Sequence, residues 1–253
     1  MILKEQVAIV TGGGSGIGRA GAEIMAREGA TVLVLDRDAA GAAATVESIR
    51  AAGGHAEPLV LDVTDDAALE AAIAGVLARH GHIDILHNHA GAQVAGDLEQ
   101  VAVDGFDRSW ELNVRAHFIA ARLVVPAMKR QGKGVILNTA SSSGILYDRE
   151  MIAYTTTKHA VIAMTKQMAG DYARFGIRVN ALCPGWVDTP FNAPFISQMG
   201  GRAAIEAYVR EKVPMGRWAD VAEIAEPILF LVSDRSSYMT GQALVIDGGE
   251  TVV

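Results

Sequence analysis

Val7-Ala-Ile-Val10, running directly into Thr11-Gly12-Gly13-Gly14-Ser15-Gly16-Ile17-Gly18, decides the fold. The first four residues are apolar without a break, as in a strand covered on both faces. The glycines after them allow a sharp turn and let a phosphate approach the backbone with no Cβ in the way. A stretch with helical spacing, about Gly16–Glu28, begins at once, and its N-terminus offers free N–H groups and a partial positive charge. Glycines alone carry little information. Strand, glycine turn and helix in that order describe a dinucleotide-binding unit, with Gly12, Ser15, Gly16, Ile17 and Gly18 as candidate contacts.

Outward from this unit the pattern repeats. Short Val/Ile/Leu-rich runs recur at Val32–Leu35, Leu59–Leu61, Ile83–Leu86, Val135–Leu137, Ile177–Leu182 and Leu244–Ile246. Helical spacing fills the gaps at about Ala39–Ala52, Asp65–His80, Asp104–Gln131, Met151–Phe175 and Asp220–Ser233. Alternation of this kind predicts an α/β fold: a Rossmann-type, doubly wound sheet of seven mainly parallel strands with helices on both faces. The whole of 1–253 reads as a single domain. Asp220 and Glu223 form a capping pattern, and Pro227 is expected to kink that helix or begin a new turn. Trp186–Pro214 is the long stretch without a strand. Its prolines and Gly200-Gly201 predict a loop with a short helix near Ala203–Lys212, placed as a substrate lid over about 186–214.

Half of the residues are hydrophobic and the net charge is −7, which supplies a core and argues against nucleic-acid binding. The lone Cys183 cannot form an intrachain disulfide and lies in an apolar stretch, so it reads as packing rather than as a thiol nucleophile. The start has no signal-peptide pattern, and no segment has the length of a membrane span, so the expectation is a cytoplasmic protein without membrane association.

Asp36 closes the second strand, about 20 residues past the glycine turn, where a carboxylate accepts hydrogen bonds from ribose hydroxyls. It would repel a 2′-phosphate and so favours NAD; the neighbouring Arg37 would attract one. Asp62 and Val63, after the third strand, are placed to bracket adenine, and Asn88, Ala90 and Gly91 end the fourth at the same edge. Tyr154 and Lys158 stand four apart on a helical stretch and share a face. A free phenol, with a pKa near 10, is no base at neutral pH, but a fixed ammonium stabilises its phenolate. Ser141, after the fifth strand, supplies a hydroxyl at the same edge, with Ser142 and Ser143 as local rivals.

Taken together these residues resemble the short-chain dehydrogenase/reductase family, in its single-domain branch of about 250 residues. The likeness runs through the Thr11–Gly18 turn, Asp36, Asp62, the Asn88–Gly91 region, Asn113, Ser141, Tyr154 with Lys158, Pro184-Gly185 with Thr189, and Asp247-Gly248-Gly249. It implies that Ser141, thirteen residues before Tyr154, is the catalytic serine. It implies that Asn113 holds a water in a proton relay with Lys158. Pro184, Gly185, Val187 and Thr189 would then border the nicotinamide, Val187 and Thr189 meeting its carboxamide. The implied reaction moves a hydride between nicotinamide and a secondary alcohol or ketone carbon. The implied assembly is a homotetramer.

Two places depart from the family pattern. Its usual Asn-Asn-Ala-Gly is Asn88-His89-Ala90-Gly91 here, and His87 completes a His-x-His that lacks a third ligand, so no metal is expected. Between serine and tyrosine lies the charged run Tyr147-Asp148-Arg149-Glu150-Met151, in which Tyr147 or Arg149 would read a polar or anionic substrate group. Gln93, Ser143, Trp186, Phe191 and Phe195 are further candidate substrate contacts. Against the NAD-dependent dehydrogenase stand two other readings: an NADPH-driven 3-oxoacyl-type ketoreductase and a non-catalytic dinucleotide-binding module.

Overall fold

The computed structural model describes residues 1–253, except the side chains of Pro194 and Gln198. Seven strands form one sheet: β1 (Val7–Thr11), β2 (Thr31–Asp36), β3 (His55–Val60), β4 (Ile85–Asn88), β5 (Gly134–Thr139), β6 (Ile177–Pro184) and β7 (Ala243–Ile246). Their order is β3-β2-β1-β4-β5-β6-β7, and every neighbouring pair is parallel. The chain reverses its direction of travel across the sheet between β1 and β4. A crevice opens at such a point beyond the carboxyl ends of the strands.

The period of two along each strand sorts side chains between two cores. Ala8 and Val10 pack with Val32 and Val34 against α1 (Gly16–Arg27), α2 (Ala39–Ala51) and α9 (Val221–Val232). Val7 and Ile9 point the other way, with Leu33 and Leu35, toward α3 (Asp66–His80), α5 (Ala116–Gln131) and α6 (Ile152–Tyr172). The unbroken apolar runs Val7–Val10 and Val32–Leu35 therefore follow from burial on both faces.

Several elements differ from the sequence expectation. β3 begins at His55, earlier than its Val/Leu-rich part suggests, because it pairs with β2 alone and so needs less apolar burial. The single helix expected over Asp104–Gln131 is divided: α4 (Val103–Trp110) leads through a π-helical turn, Glu111–Arg115, into α5. Such a turn inserts one extra residue and often marks a functional position. Pro227 begins no new element. Helix α9 runs through it, its N-terminus closed by the capping box of Asp220 and Glu223, while Ile224, Ile228 and Leu231 stay buried on one face. The 186–214 stretch carries more structure than expected. Besides α8 (Arg202–Lys212) it contains α7 (Ala193–Gln198), and Ile205, Val209 and Val213 pack with Trp186, Phe195 and Trp218 in a small separate core.

Candidate active site

A cleft of about 350 Å³ crosses the carboxyl ends of the strands. One end holds the glycine turn. Gly12 and Gly16 have φ of 68° and 52°, a region that L side chains avoid. A Cβ on Gly18 would lie 2.1 Å from the Gly12 carbonyl oxygen, so this glycine lets helix α1 close onto the turn behind the cleft. The Gly14 N–H donates to Asp36 Oδ2 and the Asp38 N–H to Oδ1, each at 2.9 Å. Two backbone donors thus fix the Asp36 carboxylate at the tip of β2. Arg37 leans toward Asp62, 3.8 Å away, and is mostly exposed. Asp62 is held below the usual carboxylate range, chiefly by the backbone N–H of Thr64 and then by its hydroxyl and by Arg37. The cradle is open where pyrophosphate would lie and carries acceptors where ribose hydroxyls would lie, so these residues fit a dinucleotide.

Toward the other end Ser141, Tyr154 and Lys158 converge from the tip of β5 and the first turns of α6. Lys158 Nζ lies 5.5 Å from the centre of the Tyr154 ring and donates to the Thr139 carbonyl at 2.9 Å. Burial pulls the ammonium down to about 8. Burial also pushes the phenol of Tyr154 well above its ordinary value, the Ser141 hydroxyl acting the opposite way. Ser141 Oγ accepts from the Ser143 N–H at 3.2 Å, and Ser143 donates its hydroxyl to Asp148 Oδ2 at 2.8 Å. Cys183 is fully buried and its thiol is pushed up to about 11, mainly by that burial, which suits packing and not nucleophilic attack.

Most of the candidates read from the sequence border this cleft: Gly12, Ser15, Gly16, Ile17, Asp36, Arg37, Asp62, Val63, Ala90, Gly91, Gln93, Ser143, Pro184, Gly185, Trp186, Val187, Thr189, Phe191 and Phe195. Others are placed elsewhere. Asn88 is buried behind the wall, where its amide donates to the His117 carbonyl and to Asn138 Oδ1, tying β4 to β5 and α5. Asn113 also lies behind the wall. Its Oδ1 accepts from the Ala92 N–H, and its Nδ2 donates to Ala92 O, Ser109 Oγ and Thr157 Oγ1. With its side-chain amide fully engaged, Asn113 joins the π-helical turn to the first turns of α6. Tyr147 and Arg149 require correction. Tyr147 is 83 % exposed, and Arg149 pairs with Glu150 in solvent, because the loop turns them outward while Asp148 faces in.

Asp148, Met151, Asn192 and Glu250 line the cleft without having been singled out as contacts. Asp148 and Met151 share the 147–151 run, but Asn192 and Glu250 come from two distant segments, and no spacing rule links the three segments. His89 borders the cleft, its Nδ1 3.2 Å from Thr139 Oγ1; the same hydroxyl is 2.9 Å from Nε2 of the buried His87. His117 lies against the Ala90 carbonyl. Among the described residues no group of three or more His, Cys, Asp or Glu is arranged to hold a metal ion.

A family model described as enoyl-(acyl carrier protein) reductase matches residues 12–251. A 2,5-dichloro-2,5-cyclohexadiene-1,4-diol dehydrogenase of Sphingobium indicum is 38 % identical over 254 residues, covering 99 % of each chain. A 3-oxoacyl-(acyl-carrier-protein) reductase of Thermotoga maritima is 36 % identical, covering 98 % of this chain and 99 % of its own. Among solved structures, a gluconate 5-dehydrogenase of Burkholderia cenocepacia, crystallised with NADP and tartrate, superposes with a TM-score of 0.93 at 35 % identity over 99 % of this chain and 97 % of its own. Matched along nearly its whole length in both sequence and fold, this chain belongs to the short-chain dehydrogenase/reductase family of oxidoreductases.

Proposed function

We propose that the protein is an NAD(H)-dependent oxidoreductase that interconverts a secondary alcohol and a ketone through Ser141, Tyr154 and Lys158. The observation that carries this reading is the convergence of those three side chains in one cleft with the glycine turn and the anchored Asp36. When bound, the oxidised nicotinamide accepts a hydride at C4 and adds a positive charge beside the phenol. In alcohol oxidation Ser141 orients the hydroxyl, and Tyr154 Oη takes its proton. Lys158 keeps positive charge near the phenolate and so opposes the burial that favours the neutral phenol. Val187, Thr189 and Phe191 line that end of the cleft. The 186–214 segment, with its own small core, serves as the lid.

Asp36 supports NAD because its charge, held by two backbone N–H groups, faces the position of a ribose 2′-substituent. Arg37, exposed and only loosely paired, favours the second reading, an NADPH-driven ketoreductase, as does the NADP complex of the gluconate 5-dehydrogenase relative. Absorbance of the reduced cofactor, followed over a panel of alcohols and ketones with each dinucleotide, separates the two. Tyr154→Phe is expected to lower turnover about 10³-fold while still binding NADH. Full turnover in that variant would sink the mechanism.

A further inference from the structure

The substrate end of the cleft carries acceptors in excess of donors. Glu250 Oε1 accepts from Trp186 Nε1–H at 2.8 Å, whereas Oε2, buried on the cleft wall, has no partner in the protein. Gln93 Oε1 is likewise buried and unpartnered. Asp148 receives only the Ser143 hydroxyl, through Oδ2. The cleft is lined by just two cations among the described residues, Arg37 and Lys158. Arg37 lies at the ribose end beside Asp62, and Lys158 is committed to Thr139 and the tyrosine. Arg149 faces solvent, and Arg202 is held by Asp188 and Glu206. No cation at the substrate end pairs with Asp148 or Glu250; the donors that reach them are neutral. Burial accordingly raises both carboxyls above their ordinary values. Around them stand aromatic faces: Phe191 has its ring centre 6.3 Å from that of Tyr154, and Trp186 lies 5.5 Å from Phe195.

We propose that Glu250, Asp148 and Gln93 form a hydroxyl-reading subsite, so that the substrate is a neutral polyol and not a hydroxy acid or a phosphorylated alcohol. This rests on the alcohol–ketone chemistry proposed above. Buried acceptors without donors are costly, and a ligand that brings several O–H groups satisfies them. A carboxylate or phosphate in the same place would meet two uncompensated negative charges. A polyol also presents C–H faces for Trp186 and Phe191 to cover. The acceptors come from three segments well separated in sequence, and Gln93 is neutral, which suits several hydroxyls better than one ammonium. An ammonium would also be repelled by Lys158. Position 250 thereby becomes a determinant of substrate charge.

The test is a binding titration read by tryptophan fluorescence, since Trp186 lines the cleft, with the protein saturated with NAD⁺. The probes are myo-inositol, sorbitol, cyclohexanol, D-gluconate and 2-aminocyclohexanol. The better polyol is expected to bind at least about tenfold more tightly than gluconate or cyclohexanol. Glu250→Gln keeps the acceptor for Trp186 but removes the charge, and is expected to shrink the polyol-to-gluconate ratio about tenfold; Asp148→Asn is expected to act in the same direction. Tighter binding of gluconate or of the amino alcohol overturns the proposal. So does an unchanged ratio in both variants, or no binding of any polyol. Turnover is measured in parallel: polyol-selective binding with no NADH formed would sink the reaction proposed above and leave the subsite standing.

Discussion

Lys158 is a cation placed where a cation is unfavourable. Its ammonium sits inside the protein at a depressed pKa of about 8, against an ordinary value of 10.5. Below pH 8 it is charged both folded and unfolded, and the folded state bears the full desolvation cost. Between pH 8 and 10.5 the folded protein releases the proton first, and the cost fades. Lys158→Met is therefore expected to be inactive, and its melting temperature relative to the parent should be higher at pH 7 than at pH 10, although it leaves the Thr139 carbonyl without its donor. A pH-independent difference in calorimetry would contradict this account of the site. Asp36 makes a second case at this scale. Its charge is held in place by the Gly14 and Asp38 N–H groups, so Asp36→Ala should shift the NAD-to-NADP preference toward NADP by about tenfold or more. Steady-state kinetics with both dinucleotides give the ratio, and an unmoved ratio would assign the discrimination elsewhere.

Among the elements, helix α9 shows local chemistry and tertiary packing acting together. The Asp220 side chain accepts from the Ala222 N–H at 2.9 Å, and Glu223 returns to the Asp220 N–H at the same distance. Arg217 holds the Glu223 carboxylate from outside. This box is plain in the sequence, and Asp220→Ala should reduce stability by about 1 kcal/mol, read as a lower urea midpoint with an unchanged slope. The persistence of α9 through Pro227 is not plain in the sequence, because the packing of Ile224, Ile228 and Leu231 against the sheet outweighs one missing hydrogen bond. The π-helical turn at Glu111–Arg115 is hidden for the same reason. Apolar spacing on either side of it is that of an ordinary helix, and the displacement that lets Asn113 reach Ala92 and Thr157 is visible only once α6 is packed alongside.

For the whole molecule, three imidazoles gathered behind and beside the cleft set the behaviour in acid. His87 and His117 are buried and His89 borders the cavity; burial lowers all three, His89 and His117 to about 3. The unfolded chain takes up these protons near pH 6.5 and the folded chain does not, so stability is full above that pH and is lost as pH falls toward 3. A steep decline in melting temperature from pH 6.5 downward is expected, shallower in His89→Asn; equal slopes would show that the imidazoles are not its source. The chain order of apolar runs, the glycine turn and the placing of Asp36, Ser141, Tyr154 and Lys158 were all legible in the linear sequence, because each depends on local periodicity, on a turn that only glycine permits, or on motif spacing. Which way the 147–151 loop faces was not. Tyr147 and Arg149 drew attention there, yet Asp148 is the residue that turns inward, to line the same cleft as a glutamate from the far end of the chain. Charge balance in a cavity is a sum over segments distant in sequence, and it acquires a sign only when folding brings them to one wall.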